Sequence, residues 1–304
     1  MKQTIRYYAP IAGLLAGIVA LSAVLTVLVG GAVRRQDKPV VMTTVYPLYV
    51  AAQAVIGDTD GVSLAHLSGS AGGCLHDYQL SPADRLSLQQ AELLLLNGAG
   101  AETFLEDVLP TLSARVVDTA EGLSLLCADH HHEGHDHAHA EEAYNEHLWT
   151  SPTRYAAQVE QVTAALCALD PAHEAEYTAN GTAYRQQVLT LGEQLRTVAA
   201  QLPSASCITF HSSLAYLVED CGLHTVCALQ IGEESGVSAS HLSAAQQALT
   251  ADPNTVLIYD SQYDLRYTAL RGKTAVLDTA VTTPWLSAMD HNLKVLQSLT
   301  EVSE

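Results

Sequence analysis

A chain of 304 residues, 48% of them apolar, can bury two medium cores and still carry one hydrophobic segment. Its 33 acids against 14 Lys and Arg leave a net charge of −19. That balance excludes nucleic acid as an expected partner, because phosphates need Lys and Arg to neutralise them, and it draws cations weakly from a distance.

Residues 1–36 read as a signal peptide or membrane anchor. Lys2 and Arg6 precede an apolar run from Pro10 to Val29, about long enough to span a bilayer. Gly30, Gly31 and Ala32 offer small residues for cleavage, and Arg34 and Arg35 follow. Either outcome exports the rest of the chain, to the cell surface or the periplasm. No cysteine precedes Cys74, so a lipid-modified N-terminal cysteine is not expected.

Val40 to Val45 is β-branched and reads as a buried strand. Pro47 opens a helix ending near Gly57, and Val62 to Leu67 is a second strand. Ser81-Pro82-Ala83-Asp84 is a helix start, with Ser as N-cap and Pro at the first helical position. Glu92 to Asn97 is a strand closed by Gly98. A helix near Thr103–Leu112 and a strand at Val116–Val117 follow. Strands alternating with helices predict a parallel sheet in an α/β lobe, residues 37–170.

Cys127 to Glu146 has no apolar face and is expected to be mobile. Within this loop, 128–146, His130, His131, His132, His135, His137 and His139 stand with Glu133 and Asp136 in ten residues. Imidazole suits zinc, copper and nickel, so a tract this dense reads as weak, exchangeable metal capture. The plain alternative is a solvated loop.

Pro152 to Gln201 reads as helix, with Leu166, Leu169, Tyr177, Tyr184, Val188, Leu191, Leu195 and Val198 at helical spacing. Asp170-Pro171 breaks it. The linking helix, 171–202, should be roughly 45 Å long at 1.5 Å per residue. A second α/β lobe, 203–304, follows. Its strands are Cys207–Phe210, Thr225–Leu229, Val256–Tyr259 and Lys273–Leu277. Its helices run to Cys221, over Ser240–Leu249 and over Trp285–Leu299.

Three histidines stand where strands or loops meet helix starts: His76, His147 and His211. In open α/β sheets ligands bind beyond the carboxyl ends of strands, and His211 follows one directly. Zinc takes about four ligands, and two facing lobes could supply them. A lone histidine after a strand is more often a hydrogen-bonded structural residue, and His66, His173, His224, His241 and His291 are read that way. The six cysteines, 74, 127, 167, 207, 221 and 227, contain no CxxC, so partial disulfide pairing or buried thiols are expected in place of a thiolate zinc site.

Three segments carry a family likeness: His76-Asp77-Tyr78 through Ser81-Pro82-Ala83-Asp84, Asn145-Glu146-His147-Leu148-Trp149-Thr150-Ser151-Pro152, and Phe210-His211 with its helix to Gly222-Leu223. A fourth, Leu277-Asp278-Thr279, ends a late strand. In this order the set resembles the metal-binding substrate-binding proteins of ABC importers, specifically the zinc-uptake (ZnuA/AdcA-like) group. The resemblance runs from about Val40 to the C-terminus. It implies two Rossmann-like α/β lobes with parallel sheets, one long backbone helix and a metal site in the interlobe cleft. It implies Zn2+ bound by His76 and His147 from the first lobe and by His211 and an acid from the second, Asp278 before Asp260, with water as a further option. Imidazole at His211, where manganese carriers have a carboxylate, favours zinc. Cys74-Leu75 departs from the proline that many relatives place before the histidine. An ABC permease is the implied partner, and the chain is expected to act as a monomer.

Enzyme readings fail on spacing. His132-Glu133-Gly134-His135 is not HExxH. Gly272-Lys273-Thr274 lacks the first P-loop glycine, which is Tyr267 here. Asn97-Gly98-Ala99-Gly100 has Thr103 where a dinucleotide fingerprint needs its third glycine. A hydrolase would need Glu146 or Asp77 as general base. An extracellular zinc buffer or adhesin acting without a transporter is the alternative function.

Overall fold

The computed structural model describes residues 38–67, 78–128, 143–229, 238–262 and 270–300. The apolar run Pro10–Val29, His76 with Cys74, and the tract from His130 to His139 lie outside the described residues. Pro39–Glu304 forms one compact unit.

The first sheet holds β1 (Val40–Thr43), β2 (Ser63–His66), β3 (Leu93–Leu96) and β4 (Arg115–Asp118), in the order β2-β1-β3-β4, all parallel. β3 is buried along its whole length, as a continuous Leu run in a sheet covered on both faces must be. α1 (Tyr46–Ile56) has proline at its start, where the missing N–H costs nothing, and ends at Gly57. α2 (Pro82–Gln90) starts at a reciprocal capping box between Ser81 and Asp84; against the upward pull of burial, hydrogen bonds from Ser81 and Tyr78 hold the Asp84 carboxyl below its ordinary value.

Two expectations change here. Thr103–Leu112 is not a helix but two short 3-10 turns, Thr103–Leu105 and Leu109–Thr111. Pro110 disfavours helical backbone at Leu109 and removes a donor mid-segment. Nor is Cys127–Glu146 without order throughout. Its ends pair as a stem: Cys127 bridges Tyr144, Ala128 N–H donates to Ala143 C=O at 2.8 Å, and Asn145 N–H to Leu126 C=O at 2.8 Å.

α3 (Pro152–Leu169) stops at Asp170. A 3-10 turn, Pro171–His173, then leads into α4 (Glu174–Ala199), whose 26 residues make about 39 Å. The Asp170 carboxylate staples this corner, accepting from His173 Nδ1 at 2.6 Å and Tyr177 OH at 2.9 Å. The second sheet repeats the first: β5 (Ser206–Thr209), β6 (His224–Ala228), β7 (Val256–Asp260) and β8 (Lys273–Leu277), in the order β6-β5-β7-β8, all parallel. α5 (Ala215–Asp220), α6 (Ala239–Ala251) and α7 (Trp285–Thr300) complete the lobe.

One apolar cluster, from Val41 and Leu48 through Tyr155, Tyr177 and Val188 to Ile258, Trp285 and Leu296, runs through both sheets and the helices between them. The lobes therefore share a core. Among the described residues the five cysteines, 127, 167, 207, 221 and 227, are free thiols. Burial pushes Cys207 up to about 11 and Cys221 up to about 12, so neither is a ready nucleophile.

Candidate metal centre

His147 and His211 come together although 64 positions separate them in sequence. Their rings are edge to face, with centroids 5.7 Å apart. His211 follows β5 directly; His147 follows the stem of the histidine-rich loop and opens the 3-10 turn Leu148–Thr150. Asn145, buried, positions His147: its Oδ1 accepts the His147 backbone N–H at 2.9 Å and faces the ring Nδ1 at 3.0 Å. The Glu146 carboxylate lies 3.5 Å from the same nitrogen. The Asn145 amide donates to Ser212 C=O at 2.8 Å, beside His211. His211 caps the 3-10 turn Ser212–Leu214, its Nδ1 accepting the Ser213 N–H at 3.0 Å.

Two carboxylates stand at the ends of the neighbouring strands. Asp260 closes β7 and is 4% exposed. Its Oδ2 accepts Ser213 Oγ–H at 2.7 Å, and its Oδ1 accepts Gln262 N–H at 2.9 Å. Burial raises its pKa and the nearby Asp278 adds to that, while these donors and His147 oppose the rise. Asp278, after β8, is less enclosed. Asn292 brackets its backbone, accepting its N–H at 2.7 Å and donating to its C=O at 2.9 Å. Its Oδ1 accepts the N–H of Ala280, which sits in left-handed backbone at φ 60°. Asp260 is thus committed to holding the loops, whereas Asp278 uses one oxygen locally.

The segment carrying His147 is bonded mainly to the second lobe. Trp149 Nε1–H donates to Thr279 C=O and Trp285 Nε1–H to Trp149 C=O, both at 2.8 Å. Trp285 stacks on Tyr155, with centroids 4.8 Å apart. Tyr216 OH donates to Asn145 C=O at 2.8 Å, and Thr150 Oγ–H donates to Ser213 C=O at 3.1 Å. Asp220 accepts Ser151 Oγ–H at 2.6 Å and Thr153 N–H at 3.0 Å, so a carboxylate from α5 sits on the N-terminus of α3, where its charge is favoured. Arg154 reaches Glu219 and Asp220 and lies over the Tyr216 ring at 4.4 Å.

Behind this seam a buried polar network fixes the ends of β1 and β3. Asn97 donates to Glu146 C=O at 2.8 Å, next to His147. Glu102 accepts from Thr44 Oγ1, Asn97 N–H and Gly98 N–H, folding Asn97-Gly98-Ala99-Gly100 into a turn with three successive positive φ angles. A Cβ at Gly98 would collide with the Asp118 carboxylate, so this position needs glycine. Burial pushes Glu102 up to about 7 from 4.5, against those three donors and with help from Asp118. The folded value lies above the unfolded one, so the native state holds this proton more tightly between the two. The resulting stability is complete below about pH 4.5 and is lost as pH rises through about 7. It is of order 3 kcal/mol at 1.36 kcal/mol per pKa unit. Urea unfolding of metal-free protein at pH 5 and 7.5 should show Glu102→Gln lacking that loss, and equal pH slopes in the two proteins would refute the assignment.

The structure thus brings His147 and His211 together and ties Asp260 to them through Ser213, whereas Asp278 stands at the end of the next strand, bonded to Asn292 and Ala280, and His76 and the histidine tract fall outside the described residues. Among the described residues no three His, Cys, Asp or Glu side chains close a metal cage. His66, His224, His241 and His291 stand on other elements, and His173 pairs with Asp170. Sequence reasoning gave no role to Asn145, Ser213 or Asn292. Asn145 had a signal, since an Asn two residues before a histidine can bond both its backbone and its ring. A groove of about 760 Å³ between α3 and α4, lined by Glu160, Cys167 and Arg185 among others, holds neither site histidine.

Comparisons with known proteins agree with this architecture. Zinc-binding lipoprotein AdcA of Streptococcus pneumoniae R6 is 27% identical over 281 residues, 86% of this chain and 56% of AdcA. ZnuA of Bacillus subtilis 168, a high-affinity zinc uptake system protein, is 27% identical over 268 residues, 82% of this chain and 81% of ZnuA. The chain spans little more than half the length of the AdcA relatives. Among solved structures, the metal-dependent lipoprotein YcdH of Bacillus subtilis superposes with a TM-score of 0.70 at 23% identity, over 86% of this chain and 98% of YcdH. A zinc-bound deletion mutant of ZnuA gives 0.71 at 21% identity, over 87% and 97%. The sequence matches the ZnuA family over residues 41–299. That stretch takes in both sheets, both histidine-bearing turns and the helix between them, and the chain belongs to this family, zinc-uptake complex component A, periplasmic.

Proposed function

We propose that this chain captures Zn2+ outside the cytoplasm and delivers it to an ABC importer, binding the ion without catalysis. The zinc ligands in this reading are His76, His147, His211 and Asp278, with Asp260 as the anchor of the second-lobe loops. Residues 37–170 and 203–304 act as the two lobes and 171–202 as the strut between them. The chain works as a monomer, secreted or held at the membrane by its N-terminal segment, and its partner is the permease.

The observation that carries the reading is the spacing of the two imidazoles. A Zn–N bond of about 2.0–2.1 Å puts each ring centroid about 3.2 Å from the metal, and two such rings at a tetrahedral angle lie about 5 Å apart. His147 and His211 are 5.7 Å apart and nearly perpendicular, at 87°. Neutral imidazole suits zinc, and a carboxylate would supply the charge-balancing oxygen ligand. The names of the relatives support the same metal.

Zinc titration by calorimetry tests the reading, on the unit from Asp37 beside a His130–His139 deletion. One tight site should survive the deletion, with only weaker binding lost, because ordering chain to chelate a metal costs conformational entropy that ligands held by a folded core do not pay. If tight binding vanishes with the tract, the chain is a metal buffer and the cleft reading is wrong.

A further inference from the structure

The two candidate zinc ligands are held in opposite tautomers. Asn145 Oδ1 can only accept, and its identity as oxygen is fixed twice: it takes the His147 backbone N–H, and the amide on the other side donates to Ser212 C=O. The ring nitrogen facing it at 3.0 Å, His147 Nδ1, is therefore the protonated one. The Glu146 carboxylate beside that nitrogen favours the same state. Neutral His147 thus has its basic lone pair on Nε2, the arrangement of a zinc ligand whose other ring nitrogen donates to a second partner.

His211 is the reverse. Its Nδ1 accepts the Ser213 backbone N–H at 3.0 Å, so in the neutral ring the proton sits on Nε2. A protonated nitrogen cannot take a metal. For Nε2 to ligate, its proton must pass through water to Nδ1; the ring stays neutral, and nothing is oxidised or reduced. Nδ1–H would then oppose the Ser213 N–H, so the cap must open. For Nδ1 to ligate, the Ser213 N–H must likewise let go.

Ser213 does not yield easily. It is buried, its Oγ–H is held by Asp260 at 2.7 Å, and its C=O by Thr150 at 3.1 Å. We infer that His211 is a latched ligand: zinc is taken first by His147, and His211 joins in a second step that breaks its hydrogen bond to Ser213. Asp260 and Ser213 act as positioning residues that set the height of that step. This rests on the reading of both histidines as zinc ligands.

Two measurements on the unit from Asp37, whose core is its own, test it with zinc alone as probe. Long-range ¹⁵N NMR of histidine-labelled, zinc-free protein should show a protonated Nδ1 on His147 and a protonated Nε2 on His211, with His147→Ala and His211→Ala assigning the signals. Zinc should then remove the apo pattern of His211. The second measurement is stopped-flow tryptophan fluorescence, reported by Trp149 at 5.3 Å from His147. It should show two phases, the slower one independent of zinc concentration. Ser213→Ala keeps the N–H and loses the Asp260 grip. It should speed the slow phase roughly tenfold, about the worth of one hydrogen bond to a charged acceptor. A zinc-free His211 protonated at Nδ1, or a single phase linear in zinc, overturns the latch and leaves the zinc site standing. Zinc that perturbs neither ring overturns the site itself, and the latch with it.

Discussion

Replacing His147 by alanine is expected to weaken zinc binding by more than about a hundredfold. Structural zinc in small peptides is bound with roughly 10–16 kcal/mol, so each of four ligands carries about 3 kcal/mol, and every 1.4 kcal/mol is tenfold. Of the ligands proposed from the described residues, His147 is the one already oriented, through the Asn145 contact to Nδ1. Its loss also strips that Oδ1 of a donor inside a buried seam, so compensation by water is poor. Adding His76→Ala and His211→Ala should abolish tight binding. Asp278→Asn keeps an oxygen at its position and should cost less than His147→Ala. Calorimetric titration gives all of these directly. A His147→Ala protein within threefold of the parent would remove this residue from the ligand set.

The second large effect is on stability. Trp285→Ala should cost about 3–5 kcal/mol, the range for deleting a buried large aromatic. Trp285 is fully buried, stacks on Tyr155 and donates to Trp149 C=O, so its removal opens a cavity and orphans a carbonyl together. The site lies a short step away, because Trp149 is also bonded to Thr279 beside Asp278. Urea unfolding should show a lower midpoint with an unchanged slope. A loss below about 1 kcal/mol would mean that the shared core is not held at this seam.

The strands and helices were legible because their signals are local. Val40–Thr43 and Leu93–Leu96 are runs that a two-faced parallel sheet requires, and Ser81-Pro82 and Asp170-Pro171 punctuate helices by backbone geometry alone. The region after Gly98 misled, since its helical composition is overridden by Pro110 and by Glu102 turning back to the Asn97-Gly98 amides. At the site, His147 and His211 stood out through residue type and position beside helix starts. Their supports did not. Ser213 and Asp260 are 47 residues apart, and Asn292 reaches Asp278 across 14. Such partners are chosen by the packing of strand ends, which no window of sequence contains. The difference between Asp260, which bonds Ser213 and Gln262, and Asp278, which bonds Ala280, is likewise visible only in the fold.

The stem at Cys127 and Tyr144 bears on how such chains can diverge. Its rungs hold Leu126, Cys127 and Ala128 against Ala143, Tyr144 and Asn145, so the two ends of the histidine-bearing segment meet at a clamped base. Doubling the number of residues between two joined ends costs only about 0.6 kcal/mol in closure entropy. A change in the number of residues between the two ends therefore adds little closure cost, and the clamped base keeps Asn145 and His147 where they are. The lobes have no such freedom: a recombination joint between them would cut a common core, which leaves this loop as the open ground for adaptation.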